Sequence, residues 1–239
     1  MPLLEVAELT RDFGGLRAVA GLSFAVEPGE ILGLIGPNGA GKTTVFNLIT
    51  GFLRPTSGRI LLEGVSLVGL RPHAVTRRGV ARTFQIVKPF PRLSVRENAT
   101  LAAFLRHPAR PAAEAAAQRV LAEVGLGAKL EGPASDLTLA EQKRLEMARA
   151  LATRPKLLLL DEPMGGLTPR EVEDASALVQ RISAAGLTII LVEHVMKAIM
   201  RISNRVVVIH HGEKIADGPP DRVVRDPAVV AAYLGARPA

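Results

Sequence analysis

The chain has 239 residues, 48% of them hydrophobic, enough to bury one large core or a core with a subdomain; its apolar runs, such as Leu157–Leu160 and Leu187–Val192, are too short to span a bilayer. It has no cysteine, which excludes a disulfide framework and thiol chemistry. It starts Met1-Pro2-Leu3-Leu4-Glu5-Val6 without the charged-then-apolar pattern of a signal peptide, so a soluble chain is expected. A net charge of +7 fits either an anionic partner or scattered solvated arginines; no dense basic block appears, and 3% aromatics with no tryptophan argue against a base-stacking nucleic-acid platform.

In chain order, residues 3–10 and 22–27 read as strands around a turn at Asp12-Phe13-Gly14-Gly15. Phe13 sits beside that turn, and position alone leaves two readings open: a ring stacked on a nucleobase, or a core phenylalanine. Glu30–Ile35 reads as a buried strand. The next nine residues, Gly36-Pro37-Asn38-Gly39-Ala40-Gly41-Lys42-Thr43-Thr44, fit G-x-x-x-x-G-K-[ST], and Val45–Ile49 continues as a helix. The residue types answer to the chemistry of a nucleoside triphosphate. Gly36, Gly39 and Gly41 let backbone N–H groups converge on a phosphate chain, Lys42 supplies a mobile positive charge, and the Thr43 hydroxyl can coordinate Mg²⁺.

Further along, Pro55-Thr56-Ser57-Gly58 is a turn and Arg59–Gly64 a short strand. Residues 87–135 change texture. Prolines punctuate them, and from Pro111 an Ala-rich helix places Ala113, Ala116, Ala117, Val120, Leu121 and Val124 at helical spacing. Thr138-x-x-Glu141 is a capping box before a helix at Gln142–Arg149. Then strand and helix alternate: strand Lys156–Leu160, helix Pro169–Ala184, strand Leu187–Val192, helix His194–Ile202, strand Arg205–His210, and a hairpin turn at His211–Lys214. Such alternation predicts an α/β fold with a mainly parallel sheet covered on both faces. The strand Leu157–Leu160 delivers Asp161 to its C-terminal end, where it can hold Mg²⁺ through water, and Glu162 can polarise an attacking water as general base.

Taken together, these residues resemble the ATPase subunits of ATP-binding cassette transporters over essentially the whole chain. The resemblance adds Gln85 in Arg82-Thr83-Phe84-Gln85, Leu137-Thr138-Leu139-Ala140-Glu141-Gln142, Gly166-Leu167-Thr168-Pro169, and His194 after a strand. It implies a P-loop NTPase (RecA-like) core with an N-terminal antiparallel β subdomain, together spanning 1–86 and 136–239, and a helical subdomain at 87–135, the whole of 1–239 forming one nucleotide-binding domain. It implies ATP and Mg²⁺ as ligands, Gln85 as the link between Mg²⁺, the attacking water and the helical subdomain, and His194 as a contact to the γ-phosphate. Thr138, Ala140 and Glu141 would face a nucleotide bound by a second ATPase subunit. The signature departs from the family's Leu-Ser-Gly-Gly-Gln, with Leu139 and Ala140 in place of two glycines, and Thr168 stands where the family has an aspartate. A groove formed by Gln85, Val87, Lys88, Pro89 and Phe90 would receive a short helix of a membrane permease at the cytoplasmic face of the inner membrane.

Within the family, Thr44–Phe52, Val80–Gln85, Val192–Lys197 and the tail Asp226–Gly235 are most similar to importer ATPases for branched-chain amino acids and related amides. A lipopolysaccharide-export ATPase shares a similar tail, and a soluble, non-transport ATPase of the family is a further alternative.

Overall fold

The computed structural model describes residues 1–85 and 88–234, so Val87 of the expected permease groove and Gly235 of the tail lie outside the described residues. An antiparallel sheet combines β1 (Leu4–Phe13), β2 (Leu16–Val26), β4 (Ser57–Leu62) and β5 (Val65–Ser66) in the order β2-β1-β4-β5. A six-stranded sheet combines β3 (Ile31–Ile35), β6 (Val80–Arg82), β7 (Leu157–Asp161), β8 (Thr188–Val192), β9 (Arg205–His210) and β10 (Glu213–Gly218) in the order β10-β9-β3-β8-β7-β6. Its pairings are parallel except for the β9-β10 hairpin.

The parallel strands are nearly continuous Leu, Ile and Val because both faces are covered. Successive side chains go to opposite faces. Leu32, Leu34, Leu157, Leu159, Ile190, Val207 and Ile209 join one buried cluster with Val45, Phe46 and Ile49 of α1 (Lys42–Ile49) and with the antiparallel sheet. Ile31, Ile35, Leu158, Leu160, Ile189, Leu191, Val206 and Val208 join the other. There they meet Leu178, Val179 and Ile182 of α6 (Pro169–Ala184) and Ile199 and Ile202 of α7 (Met196–Ile202).

The same second cluster extends into three packed helices, α3 (Val95–Ala103), α4 (Arg110–Glu123) and α5 (Leu139–Ala152). In and just after α4, the expected positions Ala113, Ala116, Ala117, Leu121 and Val124 are buried, and Val120 is half-buried. Both α3 and α5 open on capping boxes, Ser94 with Glu97 and Thr138 with Glu141. The remaining helices are α2 (Pro72–Arg78), α8 (Pro220–Val223) and α9 (Pro227–Leu234).

Several boundaries differ from the sequence reading. The first hairpin is longer, with β2 starting at Leu16, because bulges between Val6 and Leu9 and between Leu9 and Asp12 break the period-two pattern. The short α2 buries Val75 alone, and β6 has three residues, so neither writes a recognisable period. Helix α7 begins at Met196 instead of His194, because the Glu193 carboxylate takes the N–H groups of His194 and Val195.

Candidate nucleotide-phosphate site

The loop between β3 and α1 is shaped by glycines that nothing else could replace. At Gly36 (φ 156°) an added Cβ would lie 2.1 Å from the Ile209 carbonyl oxygen, and at Gly41 (φ 108°) 2.5 Å from that of Ala18. Helix α1 follows without an acidic residue in its first turn and without a side-chain cap, so its N–H groups and positive end are open to an anion. Lys42 folds back across the loop, donating from Nζ to the carbonyls of Gly36 (2.6 Å) and Pro37 (2.9 Å). Burial pushes its pKa down, opposed by the charges of Glu162 and Asp161. The phenol of Tyr233 on α9 meets the backbone of Gly36, which opposes the rise in its pKa caused by burial.

Beside the loop, β7 ends in the two carboxylates. Asp161 is buried, and its Oδ2 accepts from Arg82 Nη2 at 2.7 Å. Arg82 also donates to Asn47 Oδ1 of α1 at 2.5 Å, and its guanidinium lies over the rings of Phe46 and Phe84. One arginine therefore ties β6, α1 and the end of β7 together. Glu162 stands in the left-handed region at φ 50°, a conformation that disfavours a residue with a Cβ by roughly 1–2 kcal/mol. Gln85 Nε2 donates to Glu162 Oε2 at 2.9 Å, and His194 Nε2 lies 2.7 Å from Oε1 in a hydrogen bond. Lys143 of α5 donates to the Glu162 carbonyl at 2.7 Å. The buried Glu193 fixes both flanks, accepting from Met164 N (2.5 Å) and His194 N (2.9 Å).

These groups surround one cavity of about 700 Å³, lined by Phe13, Leu16, Ala18, Asn38 to Thr44, Gln85, Glu162 and His194. Phe13 is 40% exposed with the Arg11 guanidinium 4.5 Å from its ring centre, so the core reading of Phe13 fails. Gly36, Pro37 and Asp161 do not line it: the first two give their carbonyls to Lys42, and Asp161 is buried. Thr43 presents an exposed hydroxyl.

Thr138, Ala140 and Glu141 are not part of this cavity. They form the first turn of α5, where Thr138 N donates to Glu141 Oε2 at 3.0 Å and Glu141 N to Thr138 Oγ1 at 3.4 Å. The Glu141 carboxylate is paired with Lys129 at 2.7 Å, and that hydrogen bond, with those from Thr138, holds its pKa below the usual carboxylate range. Thr168 caps α6 by the same device with Glu171. Lys88 and Phe90 of the expected groove are exposed, Pro89 is half-buried, and Arg149 lies 5.1 Å from the Phe90 ring centre.

Sequence reasoning gave no role to Arg82, Asn47, Lys143 or Glu193, or to the wall residues Leu16 and Ala18. A signal existed for Arg82, which lies three residues before Gln85 at the end of an apolar strand, where a cation is buried only beside an anion. The oxygens that could serve a divalent cation are the Thr43 hydroxyl and Gln85 amide of the cavity wall and the Asp161 carboxylate, whose Oδ2 is bound to Arg82. Among the described residues there is no group of three or more His, Cys, Asp or Glu that could hold a metal.

Residues 19–165 match the family model described as "ABC transporter", and residues 213–239 that described as "Branched-chain amino acid ATP-binding cassette transporter". The chain is 44% identical to the high-affinity branched-chain amino acid transport ATP-binding protein BraF of Pseudomonas aeruginosa, with 98% of each chain covered. It is 42% identical to the corresponding LivG protein of Escherichia coli, again with 98% of each covered. Its fold is similar to the crystal structure of a nucleotide-free ATP-binding cassette from an ABC transporter, with a TM-score of 0.90 and 28% identity over 99% of this chain and 100% of that one.

Proposed function

This chain belongs to the ATP-binding cassette transporter family, and we propose that it is the ATP-hydrolysing subunit of an importer for branched-chain amino acids or related amides. The observation that carries the chemistry is the Glu162 carboxylate held between Gln85 and His194 at the mouth of the phosphate-loop cavity. The match of the tail and the branched-chain amino acid transport named for the bacterial relatives support the amino-acid class over lipopolysaccharide export and over a soluble, non-transport ATPase.

In this reading the loop N–H groups and Lys42 hold the β- and γ-phosphates, and Phe13 stacks on the base. Thr43, Gln85 and Asp161 would hold Mg²⁺, which when bound neutralises charge on the phosphates. Glu162 orients and deprotonates the attacking water, while His194 and Gln85 fix the carboxylate and read the γ-phosphate end. A second ATPase subunit, either a copy of this chain or a related one, would present its own Thr138–Glu141 turn to this cavity.

Permease subunits would seat a helix beside Gln85, Lys88, Pro89 and Phe90, which places the protein peripherally at the cytoplasmic face of the plasma membrane. Among the described residues no helix is long and apolar enough to cross a membrane. Residues 1–86 and 136–239 would form the core with the β subdomain and 87–135 the helical subdomain, with α5 packed on α3 and α4 to link the two.

Glu162→Gln tests the base assignment. The amide keeps the size of the side chain but cannot take a proton, so ATP affinity is expected to stay near wild type while turnover falls by about 10²–10⁴. Turnover within about twofold of wild type would remove Glu162 from the mechanism.

A further inference from the structure

A second concave feature lies at the opposite end of β7 from Asp161, about 16 Å away by strand rise. It is a cavity of about 530 Å³ lined by Arg77, Arg78, Arg106, Arg154 and Lys156, with Glu63 as its carboxylate. The five cations come from the end of α2, the chain after α3 and the α5–β7 connection. They read as scattered charges in the sequence, and the fold gathers them.

Glu63 pairs with Lys156. Among the described residues no carboxylate pairs with Arg77, Arg78, Arg106 or Arg154. Arg106 acts as a strut, donating from Nε to the Thr153 carbonyl (2.9 Å) and from Nη2 to the Arg77 carbonyl (3.1 Å). The backbone N–H of Lys156 donates to Gly79 O at 2.7 Å, closing α2 against the strand entry. Arg154 is held in the left-handed region at φ 49°. The guanidinium forks of Arg77, Arg78 and Arg154 make no hydrogen bond among the described residues, and Leu62, Val65 and Leu67 complete the lining.

Guanidiniums crowded in this way repel one another, and an anion with several charges turns that repulsion into binding energy. Their planar forks match phosphate oxygens two at a time, and the cavity volume falls within the range of small-molecule sites. We propose that this cavity binds a phosphate-bearing anion with more than one negative charge, with Arg77, Arg78 and Arg154 as ligands and Arg106 as the residue that positions them. The site is separate from the nucleotide cavity, and no part of the proposed ATPase chemistry requires it.

The test uses the full chain carrying Lys42→Ala, to weaken phosphate binding at the loop, with and without Arg77→Ala, Arg78→Ala and Arg154→Ala. Two probes are titrated: inorganic pyrophosphate by calorimetry, and phosphatidylcholine vesicles containing phosphatidic acid, whose phosphomonoester can carry two negative charges, by co-sedimentation. Matched far-ultraviolet circular dichroism confirms that the variants fold alike.

A free phosphate ligand is supported by saturable pyrophosphate binding that weakens at least about tenfold when the three arginines are removed. A lipid headgroup is supported by vesicle binding that is lost with the arginines while pyrophosphate does not discriminate. Replacing the three arginines by lysine keeps the charge but loses the fork, and is expected to give intermediate binding. Identical behaviour with and without the arginines toward both probes overturns the proposal.

Discussion

Replacing Arg82 by methionine removes a buried cation while keeping most of its hydrocarbon length. The Arg82 and Asp161 side chains are only 6% and 4% exposed, so water cannot take over the lost partner. Breaking such a pair from one side leaves an uncompensated charge and is expected to destabilise by about 3–5 kcal/mol. The second bond, to Asn47, is lost as well and lies within that range. For a chain of this size each kcal/mol lowers the melting temperature by roughly 2–4 °C, so Arg82→Met should melt about 6–20 °C below wild type. Far-ultraviolet circular dichroism follows the transition, since the chain has no tryptophan. The reasoning makes a stronger claim about the pair. Asp161→Asn removes the stranded charge, so the double variant should be more stable than Arg82→Met alone. A double variant that loses the sum of the two single losses would refute the idea that Arg82 is there to hold the Asp161 carboxylate.

Glu146 of α5 is buried, and desolvation pushes its pKa up from 4.5 to about 7, against the opposing pull of the Phe84 N–H and of Arg149 and Lys143. Its folded pKa lies above its unfolded one, so the folded state holds the extra proton and this group removes stability as pH rises from about 4.5 to 7. Glu146→Gln should abolish that slope and be about 3 kcal/mol more stable than wild type above the window, read from urea midpoints across it; an unchanged slope would exclude Glu146 as its source. Gly41→Ala puts a Cβ 2.5 Å from the Ala18 carbonyl at a left-handed φ, so ATP binding should be lost with a destabilisation of ~2 kcal/mol or more, seen by nucleotide titration and melting. Thr138→Ala removes the cap of α5 and should cost about 1 kcal/mol in urea denaturation; Thr138→Ser, which keeps the hydroxyl, should not.

The parts of the site legible in the sequence were those where one short segment carries the whole chemistry. The loop from Gly36 to Thr44 and the pair Asp161 and Glu162 are local: strand, turn and residue type stand next to one another. The capping box at Thr138 and Glu141 was legible for the same reason. Arg82 and Glu193 were not, because their meaning lies in partners far along the chain or in the backbone. Arg82 meets Asn47 and Asp161, 35 and 79 residues away, and Glu193 serves an N–H group 29 residues away. Phe13 stayed open until its exposure was seen, since a phenylalanine beside a turn is consistent with either face of a hairpin. The bulged first hairpin, α2 with its single buried residue and the three-residue β6 carried too little periodicity to announce themselves.

Helix α5 connects these pieces in a way that bears on the proposed dimer. Its first turn is the Thr138–Glu141 segment assigned to a partner's nucleotide. One turn further, Lys143 binds the Glu162 carbonyl, and Glu146 Oε1 accepts from Phe84 N at 2.9 Å, next to Gln85. A helix of 14 residues closed by a capping box at its start moves as a rigid body more readily than it bends. A displacement imposed on its N-terminus by a partner's bound nucleotide would therefore act on both neighbours of this chain's own carboxylate, the Glu162 backbone and the Gln85 segment. That physical route would couple two nucleotide sites without any contact between the nucleotides. On this route the residues that would transmit the displacement, Lys143 and Glu146, lie beyond the departing positions Leu139 and Ala140. In the proposed dimer, Leu139 and Ala140 would set how closely the partner's phosphate approaches, and hence how strongly it pulls on the helix.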